Sequence, residues 1–320
     1  MKQAFEKISK NRRLKMKKLF IVFMIIGMVT LLTITSFAED KYVIGVTMKT
    51  LQDEYSRKLG DAIKERAEQY DNIELLLVDA QADLYKQLTQ VEDFIVRGVD
   101  VIVLNPQDAG GGSLAVKRAN EAGIPLIEVN TVTNNTNYVS YVGSSDTAAG
   151  KIQGEYIYKR LNGKGNVVLL YGNMGQSPQI LREKGLIETL LSKPDIKLVS
   201  AQTANWQRAQ AMSITEDWLL KYDDIDAICA QNDDMAMGAL RAVEALGRKD
   251  IVIAGVDAID DALKAIDEGR LDATVLQDAI AQGYKTVDVA LEVAKGNEVE
   301  EEYIIPFKLI TKDNVKEYIK

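Results

Sequence analysis

The chain has 320 residues and no histidine. That absence excludes Ser-His-Asp and Cys-His nucleophile systems as usually built, and with them His-ligated zinc, HExxH and haem-His sites. A single cysteine, Cys229, rules out an intramolecular disulfide and a CxxC centre. It lies in the apolar run AICA and reads as a small buried hydrophobe. There are only five prolines, and hydrophobic residues reach 47%, so the chain can bury a core and is not disordered. At roughly 150 residues per domain, the length suggests about two domains.

The net charge of −8 is unevenly spread. Residues 2–18 hold eight basic groups and one acid, Glu6. Leu19–Ala38, LFIVFMIIGMVTLLTITSFA, carries no charge. A basic stretch, an apolar run and the small-residue ending Ser36-Phe37-Ala38 predict a secretory signal peptide over residues 1–38. A retained anchor is the alternative, because the run approaches the ~20 residues of a spanning helix. Met16-Lys17-Lys18 resembles a usual start, so Met1 and Met16 both stay open as the first residue. Beyond residue 38 the chain has 31 basic and 46 acidic residues, a net charge of −15. That balance argues against a nucleic-acid partner and fits an exported, soluble, periplasmic or envelope-associated protein.

Short apolar runs alternate with amphipathic stretches through this body. YVIGVT (42–47), IELLLVD (73–79), VDVIVLN (99–105), IPLIEVN (124–130) and YVSYVG (138–143) form a first set. NVVLLYG (166–172), IKLVSAQ (196–202), IDAICAQ (225–231), IVIAGVD (251–257) and DATVLQ (272–277) form a second. An extended YIIPFKLI (303–310) follows the last helical stretch. Such runs predict buried parallel strands with crossover helices, hence an α/β protein of two doubly wound lobes. Ligands of open α/β sheets sit beyond the carboxyl ends of the strands. Polar residues gather there: Lys49 and Asp53, Asn105, Asn130 and Thr131, Asn173, Asn232 and Asp233, Asp257, Gln277. Planar amides and carboxylates that donate and accept in pairs suit neighbouring hydroxyls.

Other motifs carry less. Gly110-Gly111-Gly112 and Gly172-Asn173-Met174-Gly175 lack GxGxxG and GKS/T spacing and read as tolerant turns. Asp223-Asp224, Asp260-Asp261 and Glu300–Glu302 lack EF-hand spacing and read as solvated surface.

AQNDDMAMGALRAVEALG (230–247) is close to a signature of the ribose and glucose/galactose binding proteins, the substrate-binding subunits of bacterial ABC importers. RGVDVIVLNPQD (97–108), SSDTAAGKIQGEYI (144–157), IVIAGVDAIDDA (251–262) and DATVLQ (272–277) add to the resemblance, which spans residues 40–312. It implies a type I periplasmic binding protein fold, with residues 39–144 plus 278–306 in one lobe and 145–277 plus 307–320 in the other. Three crossings near Gly143–Ser145, Gln277–Asp278 and Ile305–Phe307 would form the hinge. Tyr55 matches an aromatic that stacks on the sugar ring, and Trp206 the aromatic on its opposite face. Asp53 matches a carboxylate that accepts from hydroxyls, and Asn130 an amide of the glucose/galactose branch. Arg182, in LREKG, matches the family's site arginine. Asn232 and Asp257 match hydroxyl-binding residues, and Gln277 an amide at the hinge.

Departures narrow the implied ligand. The ribose branch has an Arg where Thr131 stands and an aromatic where Val256 stands, which counts against ribose. The glucose/galactose branch has an aromatic where Lys49 stands; Lys49 reaches either solvent, the favoured reading, or the ligand. That branch's calcium loop is missing, since LNGKGN (161–166) is too short and has no carboxylates; no metal and no cofactor are expected. The implied protein is a monomeric receptor for a monosaccharide, a hexose or related cyclitol, that serves the membrane subunits of an ABC permease. Rival readings are a pentose or sugar-alcohol receptor, a sugar sensor that presents itself to a chemoreceptor, and a glycosidase or epimerase using Asp53 and Asp257.

Overall fold

Each apolar run becomes a strand because its β-branched residues fill both faces of a sheet covered by helices. The structure, a computed structural model, describes residues 2, 10, 12–18 and 41–319. The apolar stretch of the expected signal segment lies outside the described residues. No helix among the described residues is long and apolar enough to cross a membrane. Residues 41–320 form a unit of their own, and both lobes belong to it.

The first lobe is built on strands β1 (Tyr42–Met48), β2 (Ile73–Asp79), β3 (Val101–Leu104), β4 (Leu126–Val129) and β5 (Ser140–Gly143), with β11 (Glu302–Ile304) added late. Their order is β11-β5-β4-β3-β1-β2, and every pairing is parallel. Helices α1 (Glu54–Ala67), α2 (Leu84–Arg97) and α3 (Ser113–Glu121) supply the crossovers. In α2, Leu88, Val91 and Phe94 are buried on one face, as the spacing of its apolar residues predicts.

The second lobe repeats the plan. Helix α4 (Asp146–Arg160) leads to β6 (Gly165–Tyr171), followed by α5 (Ser177–Leu186), β7 (Ile196–Thr203), α6 (Arg208–Lys221), β8 (Ala227–Ala230) and α7 (Asp233–Ala245). Then come β9 (Val252–Asp257), α8 (Asp260–Asp267) and β10 (Ala273–Leu276). Helix α9 (Ala279–Ala294) returns to the core of the first lobe, and β12 (Lys308–Thr311) completes the second sheet in the order β12-β10-β9-β8-β6-β7. Cys229 is fully buried in β8, and burial pushes its thiol up to about 12.

The run YIIPFKLI is not one extended segment. It splits into β11 in one sheet and β12 in the other, the latter antiparallel to β10. Pro306 lies between them; it has no N–H for a ladder, so pairing stops where the chain changes sheet. The chain therefore passes between the sheets three times: from β5 to α4, from β10 to α9, and from β11 to β12.

Candidate ligand-binding site

The carboxyl ends of both sheets face a common cleft, as open parallel sheets arrange their functional residues. A space there is lined by Asp53, Tyr55, Asn130, Arg182, Trp206, Asn232, Asp257 and Gln277, together with Lys49, Ser56 and Pro178. The eight residues matched through the resemblance all line this one cavity.

Local structure explains how each is placed. Asp53 caps α1, with its Oδ1 accepting from the Ser56 N–H at 2.7 Å. Asn232 caps α7 in the same way, accepting from the Met235 N–H at 3.0 Å. Both caps leave part of the side chain facing the cavity. The Tyr55 hydroxyl donates to Gln282 Oε1 at 2.9 Å and accepts from Asn130 Nδ2 at 3.2 Å, so its ring is held against the site. Trp206 lies in the turn between β7 and α6, and its indole N–H donates to Gln176 Oε1 at 2.8 Å. Gly172 makes that placement possible, because a Cβ there would run into the indole ring. The segment read as a mere turn thus gives the aromatic its seat.

Backbone strain collects at the site. Asn130, Trp206 and Asp257 have φ of 64°, 63° and 123°. Asn tolerates this region, but Trp does so at a cost, and Asp at 123° is in territory normally left to glycine. The segment after Asp257 is pinned by buried Asp233, which accepts from the Thr274 hydroxyl at 2.7 Å and from the Ile259 N–H at 3.1 Å. Thr274 also accepts from the Ala258 N–H at 3.2 Å. Burial pushes Asp233 up to about 7, against those hydrogen bonds.

Arg182 organises the floor. Its Nε donates to Asp146 Oδ1 at 2.9 Å, Nη1 to the Gln231 carbonyl at 2.5 Å and Nη2 to Gln277 Oε1 at 2.9 Å. Burial works against its charge, but Asp146 and Asp257 outweigh it and raise its pKa. The Asp257 carboxylate sits 3.8 Å from Nη1 and makes no hydrogen bond among the described residues. Burial pushes it well above the usual carboxylate range, Arg182 only partly opposing. Gln277 Nε2 is likewise buried without a partner among the described residues.

Not every strand-end polar residue reaches the cavity. Asn105 donates to the Val129 carbonyl and to the Thr131 hydroxyl, and Thr131 donates to the Pro106 carbonyl, so both lie beneath the site. Asn173 does not line it. Lys49 departs from expectation in the opposite sense. It is 7% exposed and lines the cavity instead of reaching solvent. Asp146 and Gln231, which hold Arg182, lie in segments that carry the resemblance, where nothing sets them apart from their neighbours. Asp260 and Asp261 are exposed but pair with Lys58 and Arg208 at 2.7 Å each.

Residues 44–298 match a family model described as a periplasmic binding protein domain. A protein of Rhizobium meliloti named for rhizopine binding is 36% identical over 302 residues, which cover 92% of this chain and 97% of that protein. The ribose import binding protein of Escherichia coli K12 is 31% identical over 93% of this chain and 100% of its own length. Among solved structures, an ABC transporter solute binding protein from Bacillus halodurans C-125 with bound myo-inositol superposes with a TM-score of 0.85 at 39% identity. That alignment covers 88% of this chain and 99% of the other. A match over this much of the chain, on two lobes that enclose a polar cleft, shows that the protein belongs to the periplasmic binding protein domain family and is a binding protein, not an enzyme.

Proposed function

We propose that this protein is exported and captures a neutral cyclic polyol, a cyclitol such as myo-inositol or a pyranose hexose, for delivery to an ABC importer. The observation that carries the reading is the Asp257 carboxylate: buried, strained and without a hydrogen bond, it lies in a cavity flanked by Tyr55 and Trp206. A hydroxylated ring fits that chemistry, with apolar C–H faces for the two aromatics and a rim of hydroxyls for the carboxylates and amides. Relatives of this chain are named for rhizopine and ribose, and the 39% identical structure holds myo-inositol. Thr131 is committed to Asn105 and Pro106, and Val256 is fully buried and does not line the cavity, so neither position offers a ribose contact.

The three passages between the sheets form the hinge, and closure brings the lobes together over the ligand. Contacts across the cleft support a closed form. The Gln176 amide donates to the Gln107 carbonyl at 2.8 Å, the Val132 N–H to Ser177 Oγ at 2.9 Å, and Lys58 pairs with Asp260. Gln176 also holds Trp206, so closure and clamping of the ring share one side chain.

A thermal-shift panel of cyclitols, hexoses, pentoses and acyclic sugar alcohols tests the proposal. A true ligand at a hundred times its Kd adds about 2.7 kcal/mol. The largest shift is expected from a cyclitol or hexose; a larger one from D-ribose or xylitol would move the reading to pentoses or acyclic polyols. With the best ligand, Trp206→Ala should weaken binding by roughly 1–3 kcal/mol while leaving the unliganded melt almost unchanged. Unchanged affinity by calorimetry would remove Trp206 from the site.

A further inference from the structure

We propose that Lys49 is a specificity-determining contact, whose ammonium acts with the Asp53 and Asp257 carboxylates to select a ligand hydroxyl able to accept and donate at once. The inference rests on the polyol reading above and names which feature of the polyol is read.

Lys49 directly follows β1, and its backbone is fixed on both sides. Its N–H donates to Asn105 Oδ1 at 3.3 Å, and its carbonyl accepts from the Ala82 N–H at 2.7 Å. The stem therefore leaves from a set position, and the side chain lines the cavity beside Asp53 and Asp257. Among the described residues its ammonium makes no hydrogen bond and no ion pair, although it is more than nine-tenths buried. Arg182, the other cation at the cavity, differs: Asp146, Gln231 and Gln277 already engage it. One cation and one carboxylate without hydrogen bonds, the latter that of Asp257 at 3.8 Å from Arg182 Nη1, thus face the same space.

A buried charge without hydrogen bonds is costly, and two of opposite sign set a requirement on whatever lies between them. A hydroxyl meets it, since its lone pairs accept from the ammonium while its proton goes to a carboxylate. Both bonds are charge-assisted and stronger than neutral ones. An O-methyl ether accepts but has no proton to give, and a deoxy position does neither. A carboxylate on the ligand would meet Asp53 and Asp257 as like charges, and an ammonium would meet Lys49. The pair therefore favours a neutral ring with a free hydroxyl at one particular position.

Calorimetry on the whole chain tests this. The wild type is first titrated with myo-inositol, D-glucose, D-galactose, D-ribose and xylitol. The tightest binder and its monodeoxy and mono-O-methyl derivatives are then titrated into wild type and Lys49→Met. Lys49→Met should weaken the parent polyol 10- to 100-fold. For one deoxy position the substitution should cost almost nothing further, whereas the O-methyl ether at that position, which still accepts from the ammonium, should lose affinity again on Lys49→Met. The unliganded Lys49→Met protein should melt no lower than wild type, because the stem is kept and a buried charge removed. If it does melt lower, Lys49→Gln replaces it in the same cycle. Parent affinity within twofold of wild type, or equal losses at every ring position, would overturn the inference and leave the polyol reading standing. Failure of the wild type to bind any of the five compounds overturns that reading, and this inference with it.

Discussion

Arg182→Met should abolish measurable ligand binding and lower the stability of the unliganded protein by about 3–5 kcal/mol, the cost of leaving a buried partner charge uncompensated. Arg182 and Asp146 are 4% and 3% exposed, and their contact at 2.9 Å is closed to water. Met fills the volume of the stem but leaves Asp146 without its cation, the Gln231 carbonyl without its donor and Gln277 Oε1 without a partner. Asp146 opens α4 just after the first passage between sheets, and Gln277 lies at the second. One side chain therefore joins two crossings to the floor of the cavity, so its loss should affect both stability and ligand affinity. Equilibrium denaturation and calorimetry on the same preparations check the two halves. Adding Asp146→Asn to Arg182→Met should recover part of the stability, because the stranded carboxylate is gone, and none of the binding. A single variant that unfolds and binds like wild type would contradict this assignment.

Much of that arrangement is legible in the residues alone. The alternation of short apolar runs with amphipathic stretches follows from burial on both sheet faces, and it locates both sheets and their carboxyl ends. Asn130, Asn232 and Asp257 stand out because each ends or directly follows an apolar run, whereas Trp206 is marked only by the resemblance. The positions that elude a sequence reading share a physical reason. Asn105 and Asp257 both follow or end an apolar strand, yet one is locked into internal hydrogen bonds and the other faces the cleft. Only strand register and neighbouring loops decide which. A lysine is ordinarily exposed, but Lys49 is buried in a cavity that it lines with Arg182, Trp206 and Asp257, all far away in sequence. The seat of the Trp206 ring depends on Gly172, thirty-four residues earlier, which no local pattern reveals.

Asp257→Ala should weaken polyol binding by about 3 kcal/mol or more, roughly a hundredfold, because ligand hydroxyls would lose charge-assisted bonds and remain buried without partners. Asp257→Asn separates this role from a structural one. In the unliganded protein the carboxylate is buried, lacks a hydrogen bond and is held at φ 123°, so it should destabilise the fold that carries it. Burial, aided by Asp233 and Asp53 and opposed by Arg182, raises its pKa in the folded state. An acid whose folded pKa exceeds its unfolded value costs stability as the pH rises through the window between the two, and below that window it costs nothing. The unliganded Asn variant should therefore melt above wild type at neutral pH. The difference should shrink as the pH falls into the ordinary aspartate range. Saturating ligand should reverse the order at neutral pH, since only the wild type gains the carboxylate–hydroxyl bonds. Melting curves of both proteins from about pH 4 to 8, with and without ligand, read all three effects. An Asn variant that melts below wild type in the absence of ligand would show that Asp257 supports the fold, and that its carboxylate is not held in reserve for a bound polyol.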